Sequence, residues 1–202
     1  MKNTKKAFLL LNGELPNQLS NLQNYDLICA TDGALHKLEK FNKIPDLLTG
    51  DFDSSTNHPK NIEIIPTPDQ EDTDFGKMLQ ILFNKGFKNI DIYGASGLEQ
   101  DHFLGNLNSA LVWKNRLELT FYDNHSTYFF AKNKTILKNV KGKLISLYPF
   151  SKAKKITTKG LQYPLKKEAL KIGKRIGIRN FAIESDVKIT FKKGNLLIFI
   201  HD

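Results

Sequence analysis

The sequence predicts an α/β unit with a largely parallel sheet, followed by a smaller all-β unit, and three observations predict it. Over the first two-thirds of the chain short apolar runs alternate with helical patterns, as they do where strands and crossover helices alternate. In the last third short strand patterns follow one another, punctuated by Gly142, Gly160 and Lys193-Gly194-Asn195, the reading of a sandwich or barrel. The charge changes near the same boundary, at residues 130–135. Residues 1–129 hold 12 Lys+Arg against 17 Asp+Glu, a net of −5, and residues 130–202 hold 18 against 4, a net of +14. Such asymmetry suits two units with different tasks.

The elements follow in order. Ala7 to Leu11 is a buried strand stopped by Asn12-Gly13, and Tyr25 to Thr31 is a second stopped by Asp32-Gly33. Ala34 to Phe41 has helical spacing. Ile62 to Ile65 reads as a strand closed by Pro66 and Pro68. Thr73 to Asn84 reads as a helix, with Thr73 as its cap, Phe75, Met78, Leu79 and Leu82 as its apolar face, and Gly86 as its stop. Asn89 to Tyr93 is a strand ending at Gly94. His102 to Asn115 is a helix with Leu104, Leu107, Leu111 and Val112 on the apolar side. Leu117 to Tyr122 and Thr127 to Ala131 are further strands. Beyond them, Ile136-Leu137, Lys143 to Tyr148, Lys154 to Thr158, Val187 to Phe191 and Asn195 to Ile200 read as short strands, with one helical stretch from Lys166 to Gly173.

With 202 residues, 40% hydrophobic and 25% charged, the chain has material for a real core, which excludes collagen-like, low-complexity and disordered classes. No run approaches the roughly 18–20 apolar residues of a membrane span. The basic N-terminus precedes too short an apolar stretch for a signal peptide, so the expected location is cytoplasmic. The single cysteine, Cys29, excludes an internal disulfide and a cysteine-rich metal site, and reads as a core thiol. The lysines of the basic half are scattered, which fits a solvated surface better than a nucleic-acid face.

Chemistry concentrates in the acidic half. Asp32 follows the second strand, Asp51 and Asp53 lie in Gly50-Asp51-Phe52-Asp53-Ser54, Asp69, Glu71, Asp72 and Asp74 surround the start of the Thr73 helix, and Asp101 precedes the next helix. Each alone is as easily a turn or cap residue. Together, at the carboxyl ends of strands where open α/β sheets bind ligands, they would gather negative charge in one crevice, which calls for a cation. Oxygen ligands without cysteine favour Mg²⁺, and Mg²⁺ implies a phosphate substrate. In extended chain Asp51 and Asp53 share a face. Lys77 stands three residues after Asp74, either as a surface ion pair or as a phosphate ligand. Gly94-Ala95-Ser96-Gly97 is a turn able to cradle phosphate. His102 reads as a structural hydrogen-bonder and Trp113 as core.

In this order and spacing, Asn12-Gly13, Ala30-Thr31-Asp32-Gly33-Ala34, Gly50-Asp51-Phe52-Asp53-Ser54, Pro68 to Lys77, Gly94 to Gly97, Asp101-His102, Asn106, Gly160 to Leu165, Arg179-Asn180 and Gly194 to Leu197 resemble the thiamine pyrophosphokinase family over nearly the whole chain. The resemblance implies a Rossmann-like three-layer domain with a largely parallel sheet over 1–131, for nucleotide and Mg²⁺ binding and catalysis. It implies a β-sandwich over 132–202, for thiamine binding and dimerisation. It implies transfer of the pyrophosphoryl group of ATP to thiamine, giving thiamine diphosphate and AMP, in a homodimer with intersubunit active sites and no nucleic-acid or membrane partner. By position, Asp51, Asp53 and Asp74 would hold Mg²⁺, with Lys77 as a further catalytic residue. Asp32, Gln70, Thr73, Asp101 and Asn106 would bind ATP, and Tyr163 and Asn180 would bind thiamine. Two positions depart from the family pattern: Glu99 stands where an arginine is usual, and Arg179 where a serine is usual. Both keep open an alternative, a related Mg²⁺-dependent phosphotransferase or phosphohydrolase with another acceptor.

Overall fold

A computed structural model of the chain describes residues 5–50, 62–67 and 71–201. Its backbone separates into two compact units, Met1–Asn124 and His125–Asp202. The division falls earlier than the charge change, because the strand at Ser126–Phe130 finds its partner in the C-terminal strand.

In the first unit β1 (Lys6–Leu10), β2 (Leu27–Thr31), β3 (Leu47–Gly50), β4 (Glu63–Pro66), β5 (Asn89–Tyr93) and β6 (Glu118–Tyr122) lie in the order β4-β3-β2-β1-β5-β6. Every pairing is parallel. The chain steps outward from β1 to β4, then returns to the other side of β1 with β5, so the order reverses between β1 and β5. The helices are α1 (Leu35–Glu39), α2 (Asp74–Asn84) and α3 (Gln100–Trp113). Side chains alternate across the sheet. Phe8, Leu10, Ala30, Leu48 and Tyr93 bury one face against Leu22 and against Ala34, Leu35 and Leu38 around α1. On the other face Phe75 of α2 meets Phe121 of β6 edge-on, 6.0 Å between centroids.

Among the described residues of this unit, Asp91 is a buried charge. It accepts a hydrogen bond from the Tyr25 hydroxyl (2.7 Å) and pairs with Lys6 Nζ (2.6 Å). Burial, and then its hydrogen bonds with Tyr93 and Asp91, push the Tyr25 phenol well up. Both the charge and its partners are thus satisfied rather than orphaned.

The second unit is antiparallel. It comprises β7 (Ser126–Phe130), β8 (Lys134–Leu137), β9 (Leu144–Lys159), β10 (Lys166–Lys171), β11 (Gly177–Phe181), β12 (Val187–Thr190) and β13 (Lys193–His201). The 16-residue β9 pairs with β10, β11, β12 and β13. It serves so many partners by bending at bulges: the register against β13 shifts between Gly194 and Asn195, and Ser151 and Lys155 take positive φ of 68° and 56°. Gly194, at φ 94°, closes the β13 side of that bulge, where a Cβ would run into the Lys152 carbonyl. Ile145, Leu147, Ile156, Leu170, Ile189 and Ile198 are among the core residues.

The α/β class holds, with a parallel and an antiparallel part, and several local expectations change. The helix expected at Lys166–Gly173 is the strand β10, whose fully buried Leu170 stands opposite Ala153, tertiary pairing having overridden propensity. The strands expected at 143–148 and 154–158 are one strand, interrupted in sequence by Pro149 and polar residues at the bulge. The sequence gives no alternation for β3, because all four of its residues are buried. On α3 the buried residues are Leu107, Ser109, Ala110 and Trp113, while Leu104 and Val112 are 60% and 68% exposed. Packing of Trp113 on Phe83 (5.6 Å) sets that rotation.

Two substitutions test this packing by chemical denaturation. Leu48→Ala, in the fully buried middle of the sheet, is expected to cost about 2–5 kcal/mol. Thr73 caps α2 by accepting from Gly76 N–H at 3.1 Å, and Thr73→Ala is expected to cost about 0.5–2 kcal/mol.

Candidate functional site

Parallel strands with returning helices bring every strand end and the following helix start to one edge of a sheet, and a crevice opens there where the strand order reverses. In the first unit that point lies between β1 and β5. The chain leaving β1 stays bonded to the chain leaving β5: Leu11 N–H donates to Tyr93 O (2.9 Å), Gly13 N–H to Gly94 O (2.6 Å) and Glu14 N–H to Ser96 O (2.7 Å). A Cβ at Gly13 would collide with the Gly94 and Ser96 carbonyls, so this close approach requires glycine.

The neighbouring loops lock onto this seam. Asn106 of α3 donates from Nδ2 to Ala95 O at 2.9 Å. Lys37 of α1 donates from Nζ to Asn12 O (2.5 Å) and Gly13 O (2.6 Å). Asp32 opens a single 3-10 turn after β2, and Gly50 at the end of β3 approaches it so closely that a Cβ there would lie 2.5 Å from Asp32 Cβ.

At α2 the sequence sets up a dense start. Asp72 Oδ1 accepts from Thr73 N–H at 2.7 Å. Thr73 Oγ1 caps the helix and also meets Ser109 Oγ of α3 at 3.1 Å. Asp74 lies in the first turn, where the helix dipole favours a carboxylate. Lys77 Nζ donates to Thr67 O at 2.9 Å and stands 3.9 Å from Asp74 Oδ1. The lysine side chain is 13% exposed and the aspartate 50%, so the ammonium is held in and the carboxylate faces out. Asp101 accepts from His102 N–H at 2.9 Å, a helix-start bond, and His102 Nε2 lies 3.7 Å from Glu99 Oε2 on an exposed surface.

In the second unit Tyr163 and Asn180 are brought together. Asn180 Oδ1 accepts from Tyr163 N–H (3.1 Å) and Asn180 Nδ2 donates to Tyr163 O (2.8 Å). One amide thereby fixes the tyrosine backbone while its side chain stays 67% exposed. Arg179, at φ 54°, donates its N–H to Ser146 Oγ (3.0 Å), which also bonds His201 Nε2 at 3.0 Å.

Asp51, Asp53 and Gln70 lie outside the described residues. Among the described residues no three His, Cys, Asp or Glu side chains converge as a metal site. The described oxygen donors near the ends of β3 and β4 are nonetheless of one kind. Thr49 Oγ1 and Thr67 Oγ1 are buried hydroxyls without a partner among the described residues, near the ends of β3 and β4, and Asp32 and Asp74 are carboxylates. Cys29 lies inside the sheet, its thiol pushed up by burial. An all-oxygen set fits a hard divalent cation. Lys37, Ser109 and Ser146 escape sequence reading because nothing in their spacing marks them. Only the strand order brings their partners near.

Two family models match the chain, "Thiamin pyrophosphokinase, catalytic domain" over residues 19–121 and "Thiamin pyrophosphokinase, vitamin B1 binding domain" over residues 133–196. A curated relative, thiamin pyrophosphokinase 1 of Caenorhabditis elegans, is 28% identical over 210 residues, covering 94% of this chain and 86% of its own. The thiamine pyrophosphokinase of Bacillus subtilis is 30% identical over 168 residues, covering 77% and 78%. The crystal structure of a thiamine pyrophosphokinase from Bacillus subtilis superposes with a TM-score of 0.82 at 24% identity, covering 96% of this chain and 98% of its own. That of yeast thiamin pyrophosphokinase gives 0.81 at 16%, covering 100% and 87%, a likeness of fold. With both family models matched in order along one chain, and a 30% identical relative, the chain belongs to the thiamin pyrophosphokinase family.

Proposed function

We propose that the chain transfers the pyrophosphoryl group of ATP to the hydroxyl of thiamine, giving thiamine diphosphate and AMP. The observation that carries this reading is the gathering of Asp32, Asp74, Lys77, Asp101 and Asn106 at the strand-end edge of one parallel sheet, in a chain whose second part matches a vitamin-B1-binding model. In this reading the first unit is a Rossmann-like three-layer catalytic domain and the second a β-sandwich that binds thiamine and dimerises. The protein acts as a cytoplasmic homodimer.

Pyrophosphoryl transfer is mostly positioning and charge neutralisation. The thiamine hydroxyl oxygen bonds to the β-phosphorus, the bond from that phosphorus to the α–β bridging oxygen breaks, and AMP leaves with the bridging oxygen. Asp51, Asp53 and Asp74 would hold Mg²⁺, which when bound neutralises phosphate charge. Asp32, Gln70, Thr73, Asp101 and Asn106 bind and orient ATP. Lys77, anchored on the Thr67 carbonyl, presents positive charge to the phosphates. Asp51 or Asp74 accepts the hydroxyl proton. Tyr163, its backbone held by Asn180, offers a ring to the cationic thiazolium, a contact worth about 0.5–2 kcal/mol. A second reading, another acceptor in the same chemistry, is favoured by Arg179 standing next to Asn180, where its cation would oppose a cationic substrate.

An endpoint assay with ATP, Mg²⁺ and thiamine should yield thiamine diphosphate and AMP in equal amounts by chromatography. ADP or free phosphate instead would support the second reading. Asp51→Asn and Asp53→Asn should each abolish most Mg²⁺-dependent turnover, and full activity in both would remove the metal assignment. Asn180→Ala should raise KM for thiamine several-fold and leave KM for ATP unchanged.

A further inference from the structure

The ammonium of Lys37 occupies an unusual place. Two of its donors are spent on the Asn12 and Gly13 carbonyls (2.5 and 2.6 Å), on the loop bonded to the chain leaving β5 at the point of strand-order reversal. An ammonium has three donors, and the third has no partner among the described residues. Nor does any described carboxylate lie within ion-pair range of it, although the side chain is partly buried. Burial, and secondarily Lys40, push its pKa down, as expected of a cation lacking a counter-ion. The carbonyls around it are already engaged: Gly94 O by Gly13 N–H, Ser96 O by Glu14 N–H and Ala95 O by Asn106. Among the described residues, this ammonium is therefore a fixed positive charge with no carboxylate in ion-pair range.

We propose that Lys37 is a polyphosphate-binding residue: its two carbonyl bonds fix the ammonium at the β1–β5 crevice, and its third N–H donates to a phosphate oxygen of the nucleotide. The identity of that polyphosphate as ATP rests on the reading above; the anion site itself does not.

The test uses the full chain, with inorganic tripolyphosphate and adenosine as separate probes, followed by calorimetry. Lys37→Met should weaken tripolyphosphate binding about tenfold or more, the loss expected for one charge-assisted hydrogen bond, with adenosine binding unchanged. Lys37→Arg should recover much of the loss. Unchanged tripolyphosphate affinity in Lys37→Met would overturn the proposal. Equal weakening of both probes would do the same, because it would make Lys37 only a support for the loops. Should Lys37→Met not fold, wild-type protein with ¹⁵N-labelled lysine serves: the Lys37 Nζ resonance must move on adding tripolyphosphate, and its failure to move overturns the proposal. Absence of thiamine diphosphate in the endpoint assay, with Lys37-dependent tripolyphosphate binding intact, would overturn the thiamine reading alone.

Discussion

The first unit depends on one seam, the ladder that continues past the ends of β1 and β5 as Leu11, Gly13 and Glu14 donate to Tyr93, Gly94 and Ser96. Strand order reverses there, so helices leave on opposite faces and the sheet edge opens into a crevice. Sealing the crevice floor with backbone bonds makes it rigid without filling it. Asn106 and Lys37 then tie α3 and α1 to that floor. Side chains that handle charge need such support, because an electrostatic site works through groups already held in place.

The second unit solves a different problem. One long strand, β9, must satisfy partners on several sides, and it does so by accepting bulges and residues in left-handed backbone. Those irregularities have a local use. The register shift within β11, with Arg179 in left-handed backbone, places the Arg179 N–H on buried Ser146 and lets Asn180 grip both backbone groups of Tyr163. An exposed aromatic on a fixed backbone loses little freedom when it meets a ligand.

Much of this was legible in the residues. The α2 cap at Thr73, the buried Cys29 and Trp113, and the parallel-then-antiparallel division all follow from local rules that the tertiary structure obeys. What was not legible depends on non-local partners. No periodicity marks β3, since both its faces are covered. Lys166 to Lys171 has ordinary helix formers, and only Ala153 across the sheet makes Leu170 a strand residue. At the site, the acidic residues declare themselves by spacing. Lys37 does not, because its importance comes from two carbonyls more than twenty residues away in sequence.

The central position of β1 also bears on how the chain acquires its fold. Its neighbour β2 follows after a short connection, but the partner on its other side, β5, begins only at Asn89. As synthesis proceeds from the N-terminus, one edge of an almost wholly apolar strand stays unpaired until some eighty further residues have been made. Long-range parallel pairing of this kind closes slowly, and an open apolar edge is a template for the wrong partner. The same strand order that creates the crevice thus sets the period of greatest exposure to misassembly, and it ends when Tyr93 docks beside Leu10.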